Sequence, residues 1–286
     1  MNKKVTTSVI ISVYKNVNAL EIILDALYHQ SIQPIEIIIS EDCESSEMKT
    51  LVSRIDSKIS ESINIVHLSQ EDSGWRKNRA LNRAIVESSS EYLIFIDGDV
   101  VPHPKFIEGH LYCSEPKRVA VGKRCELGQK YSQKVYDKKL LVSKIAKNYL
   151  TSIVPLHQDK VHHYEDGIYS HFINKVTSSR YIRHIIGCNF SCYKEDFLSI
   201  NGFNEDFINP AVGEDVDITW RFRGLGIEMK SCRYIANVYH LWHKKGFDQT
   251  HGNINQPIMD ANVEKAQFIT LNGIKKYKND KLEEVV

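Results

Sequence analysis

Asp97-Gly98-Asp99 follows the apolar run Tyr92-Leu93-Ile94-Phe95-Ile96. Such a run reads as a strand buried on both faces of a parallel sheet. Carboxylates at its C-terminal end lie where open α/β sheets place their ligand crevice. With only Gly98 between them, backbone can approach closely and both side chains can reach one ion. That spacing suits a divalent cation bridging protein carboxylates to a diphosphate, although the tripeptide by itself is equally a turn. A second acidic pair, Glu214-Asp215, opens a predicted helix over Glu214–Gly226. Negative side chains are favoured there by the helix dipole in any case. Beyond it come His240 and His243 with aromatic neighbours; a lone His is more often structural, but a His-x-x-His after this acidic motif points to a functional role. Arg76 and Lys77 stand in a loop entering a helix, so that cation and helix dipole could both face a phosphate; solvation at the surface is the alternative.

The elements that must position these residues are legible in order. Ser8–Val13 reads as a first buried strand, and a helix follows with Asn18 as N-cap and Leu20, Ile23, Leu24 and Leu27 on one face. Glu36–Ser40 is a second strand, ending in Glu41-Asp42. A polar helix over Glu47–Ser60, a third strand over Asn64–Leu68, a loop over Gln70–Trp75 and a helix over Lys77–Glu87 lead to the strand before Asp97. This β-α-β-α-β-α-β order predicts a doubly wound sheet. Further on, Ile185–Tyr193 reads as a strand, and Lys194–Ile200 as a short helix closed by Asn201-Gly202. Met229–Val238 adds one or two strands, and the tail from Pro257 is a helix.

With 286 residues, 42% of them hydrophobic, the chain suits one large α/β domain with an elaborated second half. A net charge of +1 gives no global argument for nucleic acid. The first residues lack the apolar core of a signal peptide, and no run approaches the ~18 apolar residues of a membrane helix. Six scattered cysteines read as reduced thiols of a cytosolic protein. His184, Cys188 and Cys192 have a zinc-like spacing, but Gly187 and the strand-like surroundings break the helix that such a face needs. Residues 117–183 carry 14 Lys and Arg against 5 Asp and Glu, a net +9 that leaves the rest of the chain at −8. This is either a solvated basic face or a surface for an anionic acceptor or anionic lipid headgroups.

Taken together, the motifs resemble family 2 glycosyltransferases of the GT-A fold, with a C-terminal half similar to the β-1,4-galactosyltransferase group. The first half carries Ile10-Ile11-Ser12-Val13-Tyr14, Glu41-Asp42, the run from Gln70 through Gly74-Trp75-Arg76-Lys77 to Asn82, and Asp97-Gly98-Asp99. The second carries Phe197 to Phe203, Gly213-Glu214-Asp215-Val216-Asp217 and His240-Leu241-Trp242-His243. The resemblance implies an α/β fold: a Rossmann-like, doubly wound mixed sheet with an elaborated acceptor-binding half. It divides the chain into a nucleotide-sugar half (1–110), an acceptor and catalytic half (111–256) and a helical tail (257–286).

The activity implied is metal-dependent, inverting transfer of a hexose or N-acetylhexosamine from a UDP-linked donor to a glycan or lipid-linked oligosaccharide, in surface polysaccharide assembly. Localisation would be cytoplasmic, with peripheral contact at the membrane. By resemblance Ser12, Val13, Tyr14 and Asp42 border the nucleoside, Arg76 and Lys77 face phosphate, and Asp97 and Gly98 adjoin ribose or metal. Asp99 and His240 ligate Mn²⁺ or Mg²⁺, with His243 a rival ligand or a diphosphate contact. Asp215 is the base and Glu214 orients the acceptor, while Asp217 is a supporting or surface residue. Galactosyltransferases place a Met three residues before the metal-binding His, where this chain has Asn237. Trp75 and Trp242 could stack on sugar or nucleotide, or pack in the core. A Rossmann oxidoreductase is set aside, because Tyr14-Lys15-Asn16-Val17-Asn18 lacks a Gly-x-Gly-x-x-Gly turn. A nucleotidyltransferase would need a Gly-rich, Arg-containing first loop, also missing. A non-catalytic carbohydrate-binding protein is the remaining alternative, and the presence of Asp99, Asp215 and His240 together speaks against it.

Overall fold

The computed structural model of the chain describes residues 5–59, 62–149, 151, 159–210, 214–244 and 249–277. In chain order, β1 (Thr7–Val13), α1 (Val17–Tyr28), β2 (Glu36–Glu41), α2 (Ser46–Ile59), β3 (Asn64–Leu68), α3 (Lys77–Glu87) and β4 (Tyr92–Asp97) form the expected alternation. Next come β5 (Val100–Pro102), α4 (Phe106–Cys113), β6 (Arg118–Val121) and β7 (Arg124–Glu126). The basic segment holds α5 (Gln129–Tyr136), α6 (Val142–Lys147), a 3-10 turn at Tyr164–Gly167 and α7 (His171–Thr177). The last part is β8 (Asn189–Tyr193), α8 (Lys194–Ser199), α9 (Asp215–Gly224), β9 (Glu228–Ser231), β10 (Val238–His240) and α10 (Gln249–Glu264).

The main sheet has seven strands in the order β3-β2-β1-β4-β8-β6-β9. β1 to β4 pair in parallel, β8 runs antiparallel to both β4 and β6, and β9 is parallel to β6. Alternate residues of the central strands feed opposite layers, as the two-residue strand period requires. Val9, Ile11, Ile37, Ile39, Ile94 and Ile96 pack with the buried face of α1. Ile10, Ile38, Leu93 and Phe95 pack on the other side with Leu81, Ala84 and Ile85 of α3. Phe95 stacks on Phe190 there at 4.6 Å between ring centres. Burial on both faces is the reason these strands read as continuous apolar runs.

A second sheet of three strands, β5-β10-β7, stands beyond the end of β4. β10 pairs antiparallel with β5, placing His240 opposite Val100, and parallel with β7, placing His240 opposite Glu126. A buried polar network ties α4 to β8. His110 lies 2.7 Å from Ser191 Oγ and 3.0 Å from Asn189 Oδ1, while Asn189 donates to the carbonyls of Lys123 and Ala236. Burial pushes the His110 imidazole down to about 3, so this histidine is a neutral part of the scaffold.

Several boundaries move from their expected places. Asn16, not Asn18, caps α1, its side chain accepting from Ala19 N at 3.2 Å. The strand expected from Ile185 begins only at Asn189, because Asn189 N turns back to Ile186 O (2.9 Å) and Ile185 N is taken by Thr219 Oγ1 (2.9 Å). The tail helix starts well before Pro257, which lies inside α10. Its Asn255 anchors it to the carbonyl of Asn209 at 2.8 Å. Asn201 and Gly202 do end α8 in left-handed conformations, at φ +62° and +76°.

Candidate active site

The sheet ends gather two clusters on either side of Asp97-Gly98-Asp99. Gly98 is pressed against β1: its N–H donates to Ser12 O at 2.6 Å, and a Cβ there would lie 2.9 Å from Val13 Cγ2. Only glycine permits this approach, which turns Asp97 and Asp99 in different directions.

Asp99 faces the small sheet. Its Oδ2 lies 3.3 Å from His240 Nε2 and 3.2 Å from His243 Nε2, and Leu241 N donates to Asp99 O at 2.9 Å. Asp99 Oδ1 is buried with no partner among the described residues. One carboxylate and two imidazoles thus converge, with an oxygen left to be satisfied, and could hold a cation. Burial opposes ionisation of Asp99, but the two histidines outweigh it and hold its carboxyl below the usual range. The bond to Asp99 raises His243 to about 9 against the effect of burial. Asn237 turns away: its amide donates to Ile168 O at 2.8 Å, and His243 fills out the cluster instead.

Asp97 faces the other cluster. Lys77 Nζ lies 2.7 Å from both Asp97 Oδ1 and Glu214 Oε1, so one cation joins the two halves of the chain. Glu214 caps α9 and Asp215 begins it; Gly213 is outside the described residues. Burial pushes Glu214 up to about 7; Lys77 opposes this, and Asp215 and Asp97 add to it. Burial likewise raises Asp215, against Lys77 and a bond from Gly187 N–H. Gly187 is a site residue that motif reading missed. A Cβ on it would lie 2.6 Å from Asp215 Oδ1, so the bare backbone is what brings its N–H to the carboxylate. Arg124 was missed too; it pairs with Glu126 at 3.0 Å and adds positive charge near both Asp215 and His243. No local motif marks either residue, since both reach the site through tertiary pairing.

The nucleoside-side candidates are partly committed to the scaffold. Asp42 accepts from Gln70 Nε2 (2.6 Å) and Arg76 N (2.8 Å), fixing the loop into α3. Tyr14 is exposed at the mouth of β1, its hydroxyl 3.2 Å from Asp72. Arg76 is not gathered with Lys77; its side chain lines a separate cavity with Arg79 and Glu205. Asp217 is not at the surface: it is fully buried and bonded to Arg221 at 2.6–2.7 Å. Trp242 is 41% exposed beside the histidines, which removes it from the core. A larger cavity of about 700 Å³, between α1, α2 and the α5–α6 segment, contains none of these residues.

Residues 8–144 match the family model described as glycosyl transferase family 2, and residues 167–244 match the one described as the N-terminal domain of galactosyltransferase. No curated protein sequence matches the chain. Among solved structures, the mannosyltransferase PcManGT from Pyrobaculum calidifontis, in complex with GDP-Man and Mn²⁺, is similar at TM-score 0.57 and 14% identity, covering 91% of this chain and 70% of that one. GalNAc-T7 with UDP, GalNAc and Mn²⁺ is similar at TM-score 0.60 and 10% identity (99% and 55%). TarS of S. aureus is similar at 0.53 and 12% (90% and 39%). At such identities these likenesses speak for the GT-A fold alone. With the two family matches in order along that fold, the chain is a glycosyltransferase: a family 2 domain followed by a galactosyltransferase-like half.

Proposed function

We propose that the chain transfers a hexose or N-acetylhexosamine from a UDP-linked donor to a hydroxyl of a glycan or lipid-linked oligosaccharide, with inversion and with dependence on Mn²⁺ or Mg²⁺. The setting would be assembly of a surface polysaccharide, such as a capsule or lipopolysaccharide repeat. The observation that carries this reading is the pairing of clusters across one tripeptide: Asp99 with His240 and His243 on one side, and Lys77, Asp97, Glu214 and Asp215 on the other. Two solved neighbours hold nucleotides and Mn²⁺, which supports the same class of ligand here.

The orphaned Asp99 Oδ1 and the two imidazoles fit a divalent ion, and nitrogen ligands favour Mn²⁺ over Mg²⁺. Bound there, the metal would offset the negative charge that develops on the departing diphosphate. Lys77 would add a second positive charge beside Asp97. Asp215, oriented by Gly187 N–H, would take the proton of the attacking hydroxyl, and Glu214 would hold the acceptor. A single base, Asp215, acting on the acceptor hydroxyl supports transfer with inversion.

The test is thermal melting with nucleoside diphosphates, with and without Mn²⁺. UDP at ~100 times its dissociation constant should stabilise by about 2.7 kcal/mol, and only with the metal. Asp99→Ala should lose the metal-dependent part of that shift; an unchanged shift would move the ion elsewhere.

The pH profile gives a second test. Glu214 and Asp215 titrate as a pair held above the usual carboxylate range by burial, with Glu214 at about 7. The base, Asp215, must be ionised and burial raises it, so the acid limb of kcat/KM should lie above the range of an ordinary aspartate. Stability should move the opposite way. A carboxyl whose folded pKa is raised favours the folded state in its protonated form, so stability declines as pH rises from the unfolded value towards 7. A limb near pH 4 would place the base outside this pair.

No helix of the described residues is long and apolar enough to cross a membrane. The net +9 of residues 117–183 supports contact with anionic headgroups. Flotation with anionic vesicles, but not with neutral ones, is the expected result; a protein left at the bottom of both gradients removes that contact.

A further inference from the structure

Arg76 and Arg79 lie three residues apart at the start of α3, neighbours on the helix surface. With Glu205, Asn272, Lys276 and Tyr277 they line a polar cavity of about 430 Å³. Glu205 is the only carboxylate of that lining, and it is fully engaged. It accepts from Lys276 Nζ (2.6 Å), Tyr277 OH (2.8 Å) and Asn82 Nδ2 (2.8 Å). Among the described residues neither guanidinium has a carboxylate partner. Arg76 donates to Trp75 O at 3.0 Å and Arg79 meets the Tyr277 hydroxyl. Elsewhere Arg54, Arg118, Arg124, Arg221 and Arg233 each rest on an acidic side chain, whereas Arg83 and Arg223 donate to backbone carbonyls. Arg76, Arg79 and Lys276 thus set three cations against one engaged carboxylate on this lining, and the planar forks of the two guanidiniums match the paired oxygens of carboxylate or phosphate.

The cavity adjoins the site without entering it. The next residue, Lys77, turns to Asp97 and Glu214, whereas Arg76 turns to the cavity. Asn78 donates to Asn204 O at 2.7 Å, which ties α3 to the strip of chain bearing Glu205 that runs on towards Glu214. We propose that this cavity is an anion subsite that receives a carboxylate or phosphate carried by the acceptor glycan. Its use for an acceptor rests on the transfer reading above; the anion site itself does not.

The experiment is thermal melting of the full chain in inorganic phosphate, free of metal and nucleotide, against sodium chloride of equal ionic strength. Each variant is read against its own melting temperature in chloride, so lost stability does not mimic lost binding. Wild type should show saturable stabilisation, weakened about tenfold or more in Arg79→Gln and less in Arg79→Lys, which keeps the charge but loses the planar fork. Asp99→Ala should keep the response, which separates this site from the metal cluster. Equal responses in wild type and Arg79→Gln would overturn the site. Saturating UDP with Mg²⁺ should leave phosphate binding intact; displacement would make the cavity part of the donor site and overturn the acceptor assignment. Glucuronate and glucose 6-phosphate should stabilise wild type where glucose does not. A response to phosphate but to neither acidic sugar would leave only a site for the free ion, and would also overturn that assignment.

Discussion

Replacing Asp215 by Asn should lower kcat by about 10²- to 10⁴-fold while leaving the UDP–Mn²⁺ melting shift unchanged. The amide has the shape of the carboxylate and an oxygen that can still accept from Gly187 N–H, so the start of α9 keeps its geometry. On the proposed assignment, what is lost is the capacity to take a proton from the acceptor hydroxyl. The substitution also removes a neighbouring charge that helps keep Glu214 high, so the Glu214 carboxyl should titrate lower than in wild type. Steady-state kinetics with a panel of UDP-sugars reads the first effect and melting reads the second. Turnover within a few-fold of wild type would mean that another group carries the proton, with Glu214 next in line.

The largest effect on stability is expected two residues further along. Asp217 and Arg221 are both fully buried; Arg221 Nε and Nη2 reach Asp217 Oδ2 at 2.7 and 2.6 Å, and Nη1 donates to the carbonyls of Ile200 and Gly202. Asp217→Ala leaves a guanidinium without its counter-charge in the core. The expected cost is about 3–5 kcal/mol, or roughly 10 °C in melting temperature. Arg221→Met made together with Asp217→Leu should recover much of that loss, because replacing both partners removes the stranded charge. A cost below about 1 kcal/mol for Asp217→Ala would mean that water or a neighbour reaches Arg221.

These two residues also show where sequence reading succeeds and where it stops. Asp215 and Asp217 are alternate letters of one acidic motif, and nothing in the letters says which faces the crevice. The burial of Asp217 follows from Arg221 one helical turn on, an i, i+4 pair that only the packing of α9 against the turn at Ile200–Gly202 makes obligatory. The parallel half of the sheet was legible almost to the residue, because strands buried on both faces must be continuously apolar. α3 begins and ends where the pattern places it, at Lys77 and Glu87. The loop after Ile185 was not legible, since its apolar residues continue the strand pattern while its N–H groups are claimed by Thr219 and by its own turn. The partition of the basic pair was also hidden. Arg76 and Lys77 are adjacent letters, but Arg76 is the non-helical cap of α3 and lines the cavity with Arg79, while Lys77 opens the helix and turns to Asp97 and Glu214. The histidines behave in the opposite way: His240 and His243 look like alternatives in the sequence, yet both reach Asp99.

The middle strand of the small sheet has a consequence for the order in which the site comes into being. β10 is threaded between β5, which directly follows Asp99, and β7, so His240 meets Asp99 only through contacts that join an early stretch of the chain to a late one. During synthesis the ribosome releases Asp97 and Asp99 long before either imidazole. A growing chain would therefore display the acidic tripeptide without a nitrogen ligand, and could not capture a transition ion as firmly as the finished protein. With the ion of the proposed function, loading would be a late event, because it would need His240 and His243 in place against Asp99 once β10 has entered the small sheet.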